Sequence, residues 1–301
     1  MPRSLEGHCN GSANTAAVSE TVGECSVTGG YRRPPGAGLL TAIKARIAAG
    51  PTFAVVKSGF LTPVQRLSSS EPLAAGDILA TFAAARRLRV DARTGTIGKP
   101  LRGKNLALLL DGPPGGEPSV LHRAALELGA RVAEVRFTDP TGSASARDEI
   151  RALARMLGHM YDAIDCATLA PATVRRIEQE ACVPIYEGLG LDNHPARALA
   201  DLMTLCDHGS PPASEASILF LGDPWTIRAR AFLAAAREIR FKVRVRKRSR
   251  AVSSDATFVV DATRAPHWSL RAQASPLDEA RRSENHRCVM QTVLLDTIVK
   301  A

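Results

Sequence analysis

The spacing of apolar positions switches repeatedly along the chain, which predicts an α/β protein. Residues 78–95, ILATFAAARRLRVDARTG, carry apolar side chains at helical spacing. Residues 105–110, NLALLL, form a short continuous apolar run, which is typical of a buried parallel strand. A helix after residue 119 is predicted to end with Gly129 as its C-cap, and the next strand begins at Val132 and includes Val135 and Phe137.

The same alternation continues through the middle of the chain. Residues 148–167 predict a helix followed by a short strand near Ile164, and residues 173–189 predict a further helix and strand. Upstream, residues 39–50 favour a helix and residues 54–60 a strand. Alternating helices and strands indicate a parallel sheet. The apolar face of the helix within residues 148–167 is predicted to consist of Ile150, Leu153, Leu157, Met160, Tyr161 and Ile164.

A second unit of alternating elements follows a Pro- and Ser-rich break at residues 209–217. Before the break, Asn193 is predicted as the N-cap of a helix whose first turn contains Pro195. After it, residues 218–263 give strand, helix and two strands. Residues 284–299 form an amphipathic helix that must pack back on the rest of the protein.

Composition narrows the functional classes. Aromatic residues make up only 4% of the 301 residues, so stacking platforms for nucleic-acid bases are not expected. No apolar run approaches the roughly 20 residues that span a bilayer, and the amino terminus resembles neither a secretory signal nor a transit peptide, so we expect a cytoplasmic protein that does not bind membranes. The six cysteines are scattered, which predicts reduced thiols and no metal site.

The formal charge of +9 permits attraction to polyanions without establishing it. Residues 242–250, KVRVRKRSR, would place Lys242, Arg244, Arg246 and Arg248 on one face of an extended strand. A sheet edge protected by charge is favoured over a polyanion contact, and nucleic acid is not the expected partner.

The loop between the first buried strand and the next helix has the frame of a phosphate site. Residues 108–132, LLLDGPPGGEPSVLHRAALELGARV, run from a strand through a Gly/Pro loop into a helix. The loop is not a P-loop, because it lacks Gly-Lys-Ser/Thr, and GDPWTI at 222–227 is not a dinucleotide-binding turn.

Four segments together resemble the aspartate and ornithine carbamoyltransferases, with the ornithine type closer. They are ALARMLGHMYDAI, VPIYEGLGLDNHPARALADLMTL, ILFLGD followed by FLAAAREI, and the closing ENHRCVMQTVLL. The resemblance implies an α/β fold of two parallel-sheet domains of the carbamoyltransferase type, the first binding carbamoyl phosphate and the second an amino acid. It also implies a carboxy-terminal helix that returns to the first domain, trimeric assembly, and no metal or organic cofactor.

Residues 1–34 are rich in Ser, Gly, Thr and Asn and show no apolar period, which predicts a disordered tail. Together with the Pro/Ser break, the resemblance divides the rest into a carbamoyl-phosphate-type domain at 35–193, a linking helix at 194–208, a shortened amino-acid-type domain at 209–275 and a returning helix at 276–301.

The phosphate-binding run of the family is missing. Its Ser-Thr-Arg-Thr-Arg sequence falls on residues 114–118, which read Pro-Gly-Gly-Glu-Pro. Both arginines and all three hydroxyls are absent, the two prolines lack N–H donors, and Glu117 places an anion at the phosphate position. A helix cap is the favoured interpretation of the Glu117 carboxylate, over a catalytic role.

The remaining site positions are partly retained. Of the family's His-Pro-Thr-Gln, His194 and Pro195 remain, while Ala196 and Arg197 replace the last two residues. The resemblance places the amino-acid-binding asparagines at Thr226 and Ile227, and provides no counterpart for the Ser-Met-Gly loop or the His-Cys-Leu-Pro segment. The candidate catalytic residues are His194 and Arg197, and the candidate substrate-binding residues are His159, His194, Pro195, Arg197, His286 and Arg287.

His194 has two interpretations, a hydrogen bond to a bound carbonyl or a structural bond between the linking helix and the first domain; alone, the structural one is favoured. His159 could donate to an oxyanion, and Arg197 could add a positive charge facing the cleft, which leaves carbamoyl phosphate or another small anion as a candidate ligand.

Three functions follow from this pattern. The first is a divergent family member without ordinary carbamoyl transfer, acting as a scaffold, a regulatory subunit or a weak ligand binder, in a homotrimer or a mixed assembly with an active paralogue. The second is an active carbamoyltransferase with a remodelled site for ornithine or a related amine. The third is polyanion binding through residues 242–250.

Overall fold

The computed structural model describes residues 73–110, 118–137, 144–209, 212–247, 255–273 and 275–299. The predicted tail at 1–34, the predicted elements at 39–50 and 54–60, Arg248 and the loop residues 114–117 lie outside these ranges. All of the described residues belong to the unit Gly59–Ala301.

The first part of the described chain is a four-stranded parallel sheet with helices between the strands. Its elements are α1 (Ala75–Thr94), β1 (Asn105–Leu110), α2 (Val120–Glu127), β2 (Arg131–Arg136), α3 (Ala144–Met160), β3 (Ala163–Asp165), α4 (Pro171–Ala181) and β4 (Ile185–Tyr186). The strands lie in the order β2-β1-β3-β4 and pair in parallel throughout.

The second part is a five-stranded sheet that is parallel on one side only. Its elements are α5 (Pro195–Asp207), β5 (Ser217–Leu221), α6 (Ile227–Glu238), β6 (Lys242–Arg246), β7 (Phe258–Asp261), β8 (Ser269–Ala272), β9 (Ser275–Pro276) and α7 (Glu279–Ile298). The order is β6-β5-β7-β8-β9, and β8 and β9 run antiparallel to their neighbours. The sequence pattern did not reveal this antiparallel edge.

The first sheet has a separate apolar core on each of its two faces. Leu106 and Leu108 point into a core shared with α2, α5 and α7, while Ala107 and Leu109 point into a second core with α3 and α4. Because successive side chains of a strand face opposite sides, one apolar run supplies both cores.

Helix α5 is the center of the larger core. Every residue from Ala196 to Leu205 is buried, and the core around it also contains Phe220 and Phe232 of the second part and Val289 of α7. Helix α7 packs on α1, α2 and α5, so the predicted return of the closing helix to the first part is confirmed. Its burial extends to both faces, although an amphipathic helix was predicted.

Several local predictions can be compared directly with the structure. Gly129 adopts a positive φ of 89° just after the C-cap residue Leu128, as a helix-ending glycine does. Lys242, Arg244 and Arg246 are exposed on β6, which is an edge strand of the second sheet. Met160, predicted to be part of the apolar face of α3, is 56% exposed, because it is the last residue of that helix.

We expect the contact between α3 and α4 to tolerate only glycine at position 158. A Cβ there would lie 1.9 Å from the carbonyl oxygen of Ala181, whereas a Cβ at Gly76 of α1 would have no neighbour within 4 Å. Gly158→Ala should therefore lower the free energy of unfolding by about 1–3 kcal/mol or more, and the control Gly76→Ala should raise it by about 0.4–1 kcal/mol. Urea denaturation measures both. Equal effects would show that α3 and α4 can separate at no cost.

Candidate functional site

Polar groups gather where the strands of the first sheet end and α5 begins. The carboxyl ends of β3 and β4 lead to residues 187–194, and α5 starts at Pro195. In α/β sheets this edge is where ligands bind. Three of the predicted residues, His194, Arg197 and His286, lie close enough there to affect one another electrostatically.

Asp165 fixes the loop that leads into this region. It is the last residue of β3, and its Oδ1 accepts hydrogen bonds from the backbone N–H groups of Gly188 and Leu189, at 2.9 and 3.0 Å. Burial raises the pKa of Asp165 to about 6, although both backbone donors act in the opposite direction. The carboxyl group is used by the backbone and is therefore a structural element of the site.

His194 is the N-cap of α5. Its Nδ1 accepts a hydrogen bond from the backbone N–H of Ala196 at 3.0 Å, and Pro195 occupies the first turn. The prediction that Asn193 is the cap is therefore wrong: the histidine one residue later reaches the free N–H, and Asn193 is exposed. Burial lowers the pKa of His194 to about 4, so the ring is neutral at neutral pH and carries its proton on Nε2.

Arg197 is surrounded by carboxylates. Its Nη2 lies 3.4 Å from an oxygen of Glu279, and its Nε lies 3.6 Å from Asp192 and 3.9 Å from Asp201. The side chain is 10% exposed. The Nε atom is buried and has no hydrogen-bond partner in the part of the chain that the structure describes.

His286 faces the same cluster from α7. It is 3% exposed, and its Nε2 is buried with no hydrogen-bond partner among the described residues. Burial, and next the positive charge of Arg197, lower the pKa of His286 to about 3. Like His194, it is therefore a neutral imidazole at neutral pH.

Asp201, one turn after Arg197 on α5, is the hub of the cluster. Its side chain is completely buried; Arg228 Nη2 donates to Oδ2 at 2.6 Å and Arg282 Nε donates to Oδ1 at 2.7 Å. Burial alone would raise the pKa of Asp201, but the charges of Arg282 and Arg228 outweigh it and keep the pKa below its usual value. Asp201 is thus ionised and links α5, α6 and α7.

The two arginines also bind the loop between β7 and β8. Arg228 Nη1 donates to the carbonyl of Pro266 at 3.1 Å, and its guanidinium lies 4.1 Å from the ring centroid of Trp268. Arg282 Nη1 donates to the carbonyl of Trp268 at 2.7 Å. Sequence reasoning missed Asp201, Arg228 and Arg282, although a carboxylate inside the otherwise apolar run ALADLMTL is a signal for a buried ion pair.

The structure does not bring the other two candidates to this cluster. His159 is exposed at the end of α3, beside a pocket of about 430 Å³ that Lys104, Asp162 and Cys182 also line, at the amino end of β1. Arg287 points toward α2, where its Nη1 pairs with Glu127 at 3.2 Å.

The two positions at which the resemblance implies asparagines are a helix cap and an exposed apolar residue. Thr226 caps α6 by accepting a hydrogen bond from the Ala229 N–H at 3.3 Å. Ile227 is 62% exposed, and Trp225 beside it is 75% exposed. This loop therefore presents apolar surface where the resemblance implies amide groups.

We call the region around the start of α5 the junction; its polar side chains are those of His194, Arg197, Asp201, Arg228, Arg282 and His286. These groups can orient a ligand but offer little charge to it. Both imidazoles are neutral, and the three guanidinium groups share Asp201 and the nearby acids. Within the described residues, no group of three or more His, Cys, Asp or Glu side chains could hold a metal ion.

Two sheets, a buried connecting helix and polar groups at their junction define a two-sheet α/β protein whose candidate site lies near the carboxyl ends of the strands of its first sheet. Residues 65–207 match the model of the family described as aspartate/ornithine carbamoyltransferase, carbamoyl-P binding domain. This match confirms, over residues 65–207, the resemblance that the sequence motifs indicated.

Relatives support the assignment over the same region. A catabolic ornithine carbamoyltransferase of Clostridium perfringens strain 13 is 35% identical over 45% of this chain and 40% of its own length, and an ornithine carbamoyltransferase of Haemophilus influenzae is 34% identical over 46% and 41%. The chain thus matches less than half the length of these curated relatives.

Solved structures extend the likeness of fold to both sheets. An ornithine carbamoyltransferase from Burkholderia thailandensis aligns over 75% of this chain and 96% of its own, with a TM-score of 0.56 and 17% identity. The enzyme from Thermus thermophilus aligns over the same shares with a TM-score of 0.55 and 19% identity. The predicted α/β fold of carbamoyltransferase type is therefore confirmed. Among the described helices, none has the length and apolar character needed to cross a membrane.

We expect the buried carboxylate of Asp201 to be essential for stability. Asp201→Asn should lower the free energy of unfolding by about 3–5 kcal/mol, because Arg228 and Arg282 would remain buried without their counter-charge. The control Asp148→Asn removes a carboxylate that is 79% exposed and pairs with Arg151, so its effect should stay within about 0.5 kcal/mol. Guanidinium denaturation compares the two variants, and a near-wild-type Asp201→Asn protein would contradict the role of the cluster.

His194 should make the protein sensitive to mild acid. Its folded-state pKa is lowered to about 4 from 6.5, so its contribution to stability is present above pH 6.5 and is lost as the pH falls toward 4. His194→Asn keeps a cap acceptor without a titrating ring and should unfold like the wild type at pH 7. At pH 5 the wild type should have lost about 2 kcal/mol more than this variant.

His194→Ala serves as the matched comparison, because it removes the cap and should cost about 0.5–2 kcal/mol at pH 7. His286 is present in all three proteins and its pKa is lowered first by burial, so most of its own titration cancels in the difference. A wild-type-minus-Asn difference that does not change between pH 7 and pH 5 would mean that His194 is accessible to protons in the folded state.

Proposed function

We propose that this chain is a carbamoyltransferase-family protein that does not catalyse ordinary carbamoyl transfer and serves as a scaffold, a regulatory subunit or a weak ligand binder. The observation that carries the proposal is that the arginines of the junction are paired with a carboxylate of the protein itself. Arg197, Arg228 and Arg282 all lie within 3.9 Å of the buried carboxylate of Asp201. Their charge is therefore largely neutralised within the protein.

The chemistry of the transfer explains why this matters. An amine attacks the carbamoyl carbon and phosphate leaves, so the site must hold the phosphate and stabilise an oxyanion. Residues 114–118, Pro-Gly-Gly-Glu-Pro, offer neither guanidinium nor hydroxyl groups for this task. Each lost charge-assisted contact typically removes about 2–4 kcal/mol of transition-state stabilisation, which corresponds to roughly a hundredfold or more in rate.

The retained histidine does not replace the missing groups. His194 Nδ1 is occupied by the N–H of Ala196, and the neutral ring has no full charge to offer an oxyanion. This arrangement favours the structural interpretation of His194 over the catalytic one. Pro195, beside it, shapes the first turn of α5.

An active enzyme with a remodelled site is the second candidate. The matched relatives are named ornithine carbamoyltransferases, and the buried nitrogens Arg197 Nε and His286 Nε2 lack hydrogen-bond partners among the described residues. A small anion or carbonyl group could bond to them. Ornithine or a related amine would then be the acceptor, with carbamoyl phosphate as donor.

A scaffold needs partners, so the proposal includes assembly. We propose a cytoplasmic homo-oligomer, a trimer by analogy with the family, or a mixed assembly with an active paralogue. Light scattering on the purified protein should give a mass above that of the 32.0 kDa chain. A strictly monomeric protein that also fails to co-purify with a carbamoyltransferase would exclude this form of the scaffold.

The decisive assay incubates the purified full chain with carbamoyl phosphate and ornithine, putrescine or a similar amine. We expect carbamoylated product and released phosphate at the uncatalysed background level, because the phosphate-binding groups are absent. Turnover above background that His194→Ala abolishes, and that the exposed α4 variant Arg175→Gln leaves unchanged, would establish the remodelled enzyme instead. Turnover that survives both variants would point to a contaminating enzyme.

A further inference from the structure

A large cavity outside the junction lies between α1, α2 and α7. Its volume is about 630 Å³, which is within the range of pockets for small molecules. Four arginines and several carboxylates line it, and we call it the arginine pocket. Its charged lining includes Arg93, Arg123, Glu127, Arg281, Glu284 and Arg287.

The two glutamates of the arginine pocket are already neutralised. Arg93 binds Glu284 with two hydrogen bonds, from Nε at 3.1 Å and from Nη2 at 2.6 Å. Glu127 accepts from Arg287 Nη1 at 3.2 Å and from the amide of Gln291 at 2.8 Å. The third carboxylate of the lining, Asp278, caps α7 through the N–H of Ala280.

Among the described residues, two arginines of the arginine pocket have no carboxylate in an ion pair with them. Arg123 of α2 is exposed and Arg281 of α7 is half-buried, and neither has an ion pair or side-chain hydrogen bond within the described ranges. In addition, Arg287 Nε is buried and has no hydrogen-bond partner there. Four guanidinium groups and three carboxylates line the cavity, so the lining keeps a formal positive charge, and an anion beside Arg123 and Arg281 would offset that charge and accept from their donors.

We propose that the arginine pocket binds a small phosphorylated molecule that carries at least two negative charges, through Arg123, Arg281 and Arg287. Guanidinium groups suit phosphate oxygens because they donate in pairs with planar geometry. The pocket is distinct from the junction: His194, Arg197 and His286 do not line it. His286 and Arg287 are consecutive on α7 and therefore point about 100° apart around the helix.

The test titrates inorganic pyrophosphate into the full chain and measures binding by calorimetry and by thermal shift. Arg123→Gln/Arg281→Gln should weaken pyrophosphate binding by at least about tenfold, because two charge-assisted contacts are lost. The control Arg175→Gln/Arg230→Gln removes the same charge from exposed arginines of α4 and α6 that do not line the pocket, and should bind like the wild type.

A variant of the junction, His194→Asn/Arg197→Gln (the cleft variant), distinguishes failure of this proposal from failure of the proposed function. Unchanged pyrophosphate affinity in that variant supports the arginine pocket, whether or not the protein has transferase activity. The proposal is overturned by absence of binding at millimolar pyrophosphate, by equal losses in the pocket and control doubles, or by a loss confined to the cleft variant. Binding that requires a nucleic-acid chain and is not competed by pyrophosphate would also overturn it, in favour of a polyanion surface.

Discussion

The buried carboxylate of Asp201 is the constraint on which the rest of this structure depends. Helix α5 is enclosed on all sides, so a charge on it must find its counter-charges inside the protein. Arg228 of α6 and Arg282 of α7 meet that need from two directions and also bind the carbonyls of Pro266 and Trp268. One side chain thereby sets the positions of three helices and a loop.

Such a cluster defines geometry more than it adds stability. The desolvation of three charged side chains offsets much of their attraction, and an apolar replacement of similar volume could be as stable. Its directional bonds, however, permit only one arrangement of α5, α6 and α7. The same bonds occupy the guanidinium groups of the junction. The charge that holds the helices in place is therefore not available to a bound anion. His194 follows the same logic, because the cap that starts α5 occupies its Nδ1.

Most of the framework could be predicted because apolar periodicity records which faces are buried. The run NLALLL, the helix of residues 78–95 and the closing helix all appear where the sequence places them. The antiparallel β8 and β9 could not be predicted, since they are short and mostly exposed and carry little apolar signal. The site was harder to predict from the sequence than the fold. The structure places His194, Arg197 and His286 near one another, whereas His159 and Arg287, which were predicted from the same motifs, lie elsewhere, because a motif does not state which way a side chain points.

Helix α7 contributes side chains both to the junction and to the arginine pocket. Arg282 and His286 face the Asp201 cluster, whereas Arg281 and Arg287 line the arginine pocket, so neighbouring residues of one helix serve different sites. The helix is buried along most of its length and packs on α1, α2 and α5, and it therefore has little freedom to shift. An anion in the arginine pocket would fasten its first turns to α2, next to Arg282. Any coupling between the two regions would pass through the contacts that hold the start of α7 against α5, which include the bond of Arg282 to Asp201 and the pair of Arg197 with Glu279.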